Sequence, residues 1–175
     1  DHDIDSFMIA VDQQTGQPIW KAERPEATRS YSTPILLPRG HAKQIVIAGS
    51  RQMVAYSADT GEQLWWYDGL SRLVDSTPLI HGGLIYLATW SPGGDADSRI
   101  AMESFSEACT SFDSDGNGLL TRGELPAGGA VLERFYRIDL NQDGSLDQDE
   151  WTKHAKVFEQ SQNVAVALEP GSSGK

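Results

Sequence analysis

Apolar and polar residues alternate in short runs over the first half of the chain, whereas in much of the second half apolar residues recur at three- and four-residue intervals. Alternation marks a strand with one buried face, and the longer spacing marks one face of a helix. The alternating runs predict strands near Thr33–Leu37, Gln44–Ala48, Gln52–Ser57 and Gln63–Tyr67, and two more near Thr77–Ile80 and Gly83–Trp90. The turn Asp59-Thr60-Gly61 joins the third of these to the fourth, with glycine supplying a positive φ. The pattern changes after the polar linker Ser91–Asp97. Ala101, Phe105, Ala108 and Phe112 predict a helix, Val131, Phe135 and Ile138 give one face of a second over Ala130 to Ile138, and Trp151, Ala155 and Phe158 belong to a third. Alternation returns at Asn163–Leu168, and the Gly/Ser-rich end, Glu169–Lys175, is a predicted loop.

The strand region repeats itself. Ala10–Trp20 aligns with Ala55–Trp65, and Ser32-Thr33-Pro34 aligns with Ser76-Thr77-Pro78. The period is about 45 residues, the length of a propeller blade. These residues resemble the pyrroloquinoline-quinone-type β-propeller repeat, whose signature is Ala-x-Asp-x-x-Thr-Gly-x-x-x-Trp. The first copy matches at Ala10, Asp12, Thr15, Gly16 and Trp20; the second keeps Ala55, Thr60, Gly61 and Trp65 but has Ser57 in place of the aspartate. Ala165 stands where Ala10 and Ala55 stand, in a degenerate third copy. The resemblance implies that Trp20 and Trp65 dock blades, each indole lying on the small residues and glycine turn of a neighbour, and that they are not cofactor contacts.

The predicted organisation is therefore three-part. Residues 1–90 hold the end of one blade, one full blade and the first strands of a third; residues 91–162 are a helical insert between the second and third strands of that third blade; residues 163–175 resume it. In the preceding blade the same junction is a short hairpin around Gly49–Arg51. Because strands alternate in direction, this junction and the crossovers between blades share one face. The crossovers, Lys21–Ser32 and Asp68–Ser76, carry Arg24, Arg29, Tyr31, Arg72 and Asp75. The arginines are read as solvated, since exposed ion pairs contribute only about 0–1 kcal/mol; docking of the acidic insert on them is the alternative. A closed propeller needs about 4–8 blades, and an open stack leaves sheet edges exposed. The expectation is a segment of a longer propeller chain whose remaining blades complete it, with a ring of several chains as the alternative.

The candidate chemistry lies in the insert. Two twelve-residue loops, 113–124 and 139–150, place oxygen-bearing side chains at the same five positions: Asp113, Asp115, Asn117, Thr121 and Glu124 in the first, Asp139, Asn141, Asp143, Asp147 and Glu150 in the second. Leu119 and Ser145, at the seventh position, offer a backbone carbonyl, and Gly118 and Gly144 permit the sharp turn before it. Calcium takes about 6–8 oxygen ligands, and the closing glutamate of each loop can supply both carboxylate oxygens. From about Arg99 to Gln160 the chain resembles the EF-hand family, in tandem. The resemblance implies two bound calcium ions and a short two-stranded bridge between the loops at Leu120 and Leu146. Pro126 limits the helix leaving the first loop to about one turn and suits the first turn of the next. A compact pair with short exit helices favours a structural ion site over a switch. The fold class is thus mainly β with an α-helical insert: a partial β-propeller of four-stranded antiparallel blades carrying a compact EF-hand pair.

Charge and composition narrow the function. A net charge of −11 over 175 residues excludes nucleic acid and anionic membrane surfaces as natural partners. No apolar run is long enough to span a bilayer, so direct membrane insertion is not expected. The single cysteine, Cys109, is read as a small buried apolar residue. His2, His41, His81 and His154 show no metal-ligand spacing, and Asp95 and Asp97 lie in a linker that cannot position an acid or base. No catalytic or cofactor-binding residue is assigned. The reading is a non-catalytic, calcium-binding propeller segment that acts as an extracytoplasmic, bacterial, periplasmic or secreted scaffold for a protein partner. The alternative is a fragment of a quinoprotein dehydrogenase that oxidises alcohols or sugars, with its active site outside this chain.

Overall fold

A computed structural model describes residues 1–39, 42–95, 97 and 102–171. His41, Ala96, Arg99, Ala101 and residues 172–175 of the predicted terminal loop lie outside them. In chain order the elements are β1 (Phe7–Val11), β2 (Pro18–Glu23), β3 (Ile35–Arg39), β4 (Ala42–Ala48), β5 (Gln52–Ser57), β6 (Gln63–Asp68), β7 (Leu79–His81), β8 (Leu84–Thr89), α1 (Phe105–Phe112), β9 (Leu120–Thr121), α2 (Ala130–Glu133), α3 (Phe135–Ile138), β10 (Ser145–Leu146), α4 (Gln148–Gln160) and β11 (Val164–Leu168). They form two compact units: a sheet unit of residues 1–99 and 160–175, and a helical unit of residues 100–159.

The sheet unit is mainly β, with every pairing antiparallel. Its complete sheet has the order β3-β4-β5-β6, flanked in sequence by a two-stranded sheet, β1-β2, and a three-stranded one, β11-β8-β7. This is the pattern of partial propeller blades. β8 and β11 are neighbours, with Thr89 opposite Val164, although residues 90–163 lie between them. Strand boundaries follow local chemistry. β3 starts at Ile35, two residues later than predicted, because Pro34 has no N–H for the ladder. Strict alternation then sends the residues of β4 and β5 to opposite faces. Val46, Ala48, Met53 and Ala55 are buried in one cluster with Trp65, Leu70, Val74, Ile85 and Leu87, against which Val164, Val166 and Leu168 pack. Ile47, Val54 and Tyr56 turn the other way, against Met8 and Ala22. One sheet is therefore sealed on both faces by its sequence neighbours.

Trp20 behaves as an inter-sheet wedge. Trp20, on β2, donates from Nε1 to the carbonyl of Ala58 at 3.0 Å. A Cβ at Gly61 would lie 2.5 Å from Trp20 Cε3, so the β5–β6 turn has room for the ring only because Gly61 is bare. Trp65 is buried and donates to Gln44 Oε1 at 2.9 Å within its own sheet.

One crossover arginine departs from the sequence reading, while Arg29 is exposed as expected. Arg24 is buried rather than solvated, gripping the Asp1 carboxylate through Nε at 2.6 Å and Nη2 at 3.0 Å, with Nη1 on the Tyr56 hydroxyl at 2.6 Å. Arg29 is paired with Asp3 through both its guanidinium and its backbone N–H. Both cations find partners in the first residues of their own unit, which spacing along the chain does not announce.

In the helical unit, Ser104 caps α1 in a reciprocal capping box with Glu107, which is why that helix begins at Phe105. Its core joins Ala108, Leu120, Leu125, Phe135, Ile138, Leu146 and Trp151, with Trp151 Nε1 donating to the Glu103 carbonyl at 2.9 Å. Phe105, Phe112 and Val131, three of the residues read as helix faces, pack on it, as does Cys109. Three expectations fail here. No helix leaves the first loop; residues 122–124 form a turn, closed by Glu124 N–H on the Thr121 carbonyl at 3.2 Å. Pro126 opens a second turn instead of a helix: Gly129 N–H bonds its carbonyl at 3.0 Å and Gly128 has φ +75°, the glycine conformation of a type II turn. The helix predicted over Ala130 to Ile138 breaks at Arg134 (φ −107°, ψ 5°) into α2 and α3.

Candidate metal centre

The two loops are built from backbone amides closing on acidic side chains. Asp113 starts the first loop at the end of α1; its Oδ1 accepts from Gly116 N at 2.8 Å and Asn117 N at 3.2 Å, and its Oδ2 from Gly118 N at 2.9 Å. Asp115 Oδ1 takes Asn117 N at 3.0 Å, and Asn117 Oδ1 takes Leu119 N at 2.7 Å. The second loop repeats this almost bond for bond. Asp139 Oδ1 and Oδ2 accept from Asp143 N and Gly144 N, both at 3.1 Å; Asn141 Oδ1 takes Asp143 N and Asp143 Oδ1 takes Ser145 N, both at 2.9 Å. Each of these bonds ties a side-chain oxygen to the backbone of the residues that follow it. The positions Asp-x-Asx-x-Asx-Gly therefore bend the loop through the same oxygens that make them candidate ligands.

The closing glutamates reach back across their loops. Glu124 Oε1 accepts from Ser114 N at 3.0 Å, and Oε2 from Thr121 N at 2.9 Å and Thr121 Oγ1 at 2.8 Å. These donors, Thr121 N–H foremost, hold its pKa down at about 2, so the carboxylate is ionised at any physiological pH. Glu150 is buried and uses the same device, with Oε1 on Leu140 N at 2.7 Å and Asn141 N at 3.1 Å, and Oε2 on Asp147 N at 3.2 Å. The loops are joined by β9 and β10, with Leu120 opposite Leu146, both buried.

Whether these residues fit an ion follows from the oxygen spacing. Two oxygens on one calcium, each at about 2.3–2.6 Å, lie no more than roughly 5 Å apart. One carboxylate oxygen from each of Asp113, Asp115 and Glu124 falls within 4.8 Å of the others. Among the described residues no other three acidic, histidine or cysteine side chains converge so closely. In the second loop Asp139, Asn141, Asp143, Asp147 and Glu150 are all present, with the Glu150 oxygens turned to backbone amides and Asp147 Oδ1 accepting from Glu150 N at 2.8 Å.

The remaining candidates stay apart. His2 stacks on Phe7, His81 ends β7, and His154 lies tilted against Phe158 in α4. Cys109 is half-buried, and burial, with Asp113 and Glu124 nearby, pushes its thiol pKa up, away from reactivity. Sequence reasoning missed Arg51, a buried cation in the β4–β5 hairpin; its only signal was a long charged residue in a tight turn.

A solved structure, BamB from Moraxella catarrhalis, is 20% identical over a match that covers 46% of this chain and 28% of that one, with a TM-score of 0.36. This chain thus spans less than a third of the length of that protein. No curated protein matches it. The sequence profile of the family described as outer membrane protein assembly factor BamB matches residues 5–115, more than half of the chain and the greater part of its strands. The chain belongs to that family.

Proposed function

We propose that this chain is a calcium-binding, non-catalytic propeller segment that serves as an extracytoplasmic scaffold for protein partners, with residues 91–162 an EF-hand pair inserted between the second and third strands of its third blade. The observation that carries the calcium reading is the convergence of Asp113, Asp115 and Glu124 within 4.8 Å in a loop whose every ligand position bears an oxygen. The scaffold reading, and the extracytoplasmic location with it, rests on the family's description as an outer membrane protein assembly factor. Among the described residues no helix is long and apolar enough to cross a membrane.

In this reading the first ion is held by Asp113, Asp115, Asn117, Thr121, Glu124 and the Leu119 carbonyl, and the second by Asp139, Asn141, Asp143, Asp147, Glu150 and the Ser145 carbonyl. Calcium supplies a hard positive charge that neutralises clustered carboxylates and stabilises the folded loops by mass action, since the unfolded chain has no preformed site. Sites as weak as about 10⁻⁴–10⁻³ M serve for extracellular modules, which suits a structural ion. The remaining blades of a longer chain, or further copies, would close the propeller and present the partner surface.

Glu124→Gln and Glu150→Gln test the assignment. Each variant is expected to lose one site from the calcium stoichiometry in equilibrium dialysis, and the double variant both. Unchanged stoichiometry in the double variant would overturn the calcium reading.

A further inference from the structure

The repeat brings the same two kinds of face together twice within the sheet unit. Ala10 lies opposite Trp20 and Ala55 opposite Trp65, and in both sheets this alanine face turns toward the sheet that follows. The face that receives it carries the two residues flanking the next repeat alanine. Val54 and Tyr56, on either side of Ala55, are covered by Met8 and Ala22 of the first sheet. Val164 and Val166, on either side of Ala165, pack on the cluster that contains Ala55 and Trp65 of the second. Alternation enforces the division, because the neighbours of a strand residue point to the opposite face.

Each half of this junction also occurs uncovered among the described residues. Ala165, the third repeat alanine, is exposed, and so are Ala88 opposite it and Ala167 opposite Tyr86. Together with Thr77 and Leu79 they line one shallow groove that holds no charged side chain. On the first sheet Ile9 and Val11 flank Ala10, where Val54 and Tyr56 flank Ala55; they are 44% and 51% exposed, and Phe7 beside them is 39% exposed. The third sheet therefore offers an alanine face with nothing on it, and the first sheet offers the face that such a surface covers elsewhere in the unit.

We propose that a second copy of this chain docks on these faces head to tail, the Ala165 face of each third sheet covering Ile9 and Val11 on the first sheet of the other copy. The proposal rests on the propeller reading above and names what closes the ring. Two observations select a second copy. The two open faces complement each other at the repeat positions that the chain already joins in both of its internal junctions. Blade number agrees: a closed propeller has about 4–8 blades, and the sheet unit holds three sheets. One copy is too few, three copies are too many, and two copies close with both junctions made. Two-fold pairing is also the commonest symmetry of soluble oligomers.

Sedimentation equilibrium of the intact chain tests this, with one substitution at an exposed position on each face. Ile9→Glu places a carboxylate opposite Lys21, and Ala165→Glu places one opposite Ala88. The parent is expected at twice the mass of one chain and each variant alone at the mass of one chain. An equimolar mixture of the two variants is expected to recover a dimer, because one of its two junctions then carries neither substitution. A parent at the mass of one chain overturns the docking, and so does a mixture that stays there. A dimer that only one of the substitutions dissociates overturns it as well, since a face then pairs with itself. So does a mass that climbs past two copies, the mark of an open stack. Amide exchange at Val54 and Tyr56 keeps the two readings apart. Slow exchange there in a single-chain parent overturns the docking alone, whereas fast exchange overturns the stacked sheets on which it rests.

Discussion

The sheet unit and the helical unit bury apolar surface by different means. In the sheet unit, alternation along β4 and β5 gives each face of a sheet its own cluster, and neighbouring sheets close both. In the helical unit, single residues from several short elements meet around Trp151 and Phe135. Charge divides unequally as well. Residues 100–159 hold twelve acidic and five basic residues, a net of −7 out of −11 for the whole chain. The loops concentrate carboxylates that repel one another unless a cation intervenes. The sheet unit closes the faces of its complete sheet but leaves Val11, Ile19 and Leu79 exposed on its partial ones, whereas the helical unit is arranged around charge that its own side chains do not neutralise.

The largest expected effect separates the two cores. Trp151→Ala removes the biggest fully buried side chain of the helical unit, a loss of about 3–5 kcal/mol, comparable with the whole stability of a small module. Amide exchange should report loss of protection across residues 105–158 with β4 and β5 still protected. Simultaneous loss in both units would break the comparison.

A smaller effect tests the wedge between sheets. At Gly61→Ala the new Cβ meets the Trp20 ring at 2.5 Å, in a backbone with φ +75° that already disfavours it. Denaturant unfolding should show destabilisation of more than about 1 kcal/mol. The calcium stoichiometry of the helical unit should be unchanged.

The smallest effect concerns the two copies of the repeat. Asp12 accepts from Thr15 N at 2.8 Å, Thr15 Oγ1 at 2.9 Å and Gln14 N at 3.0 Å, which lower its pKa, Thr15 N–H most of all. A depressed carboxylate stabilises the fold above its ordinary value near 3.8 and loses that contribution as pH falls below it through the folded value. Asp12→Ser, which copies Ser57 of the second repeat, should lower stability slightly above about pH 5 and converge with the parent as pH falls through the folded pKa, flattening the acid limb. An unaltered acid limb would show that the first turn does not depend on its aspartate.

Much of this was legible in the residues because it is local. A short apolar run between turn signals placed β5 at Gln52–Ser57, and the EF-hand resemblance implied the pairing of Leu120 with Leu146. What was not legible depends on partners remote in sequence or on turns that compete with helix. Arg24 and Asp1 are 23 residues apart, and nothing in either names the other. Pro126 is compatible with a helix start, but Gly128 and Gly129 favour the tighter turn that the chain adopts. Arg51 resembles any surface arginine until its left-handed backbone aims it at Gln160, 109 residues away.

The central claim is that the helical unit is completed by calcium, and calorimetric titration of the chelator-stripped chain tests it most directly. The account predicts two ions bound per chain, with a rise in the melting temperature of the helical unit and little change in helix content. Absence of binding heat at millimolar calcium, with the helical unit equally stable in chelator, would contradict it.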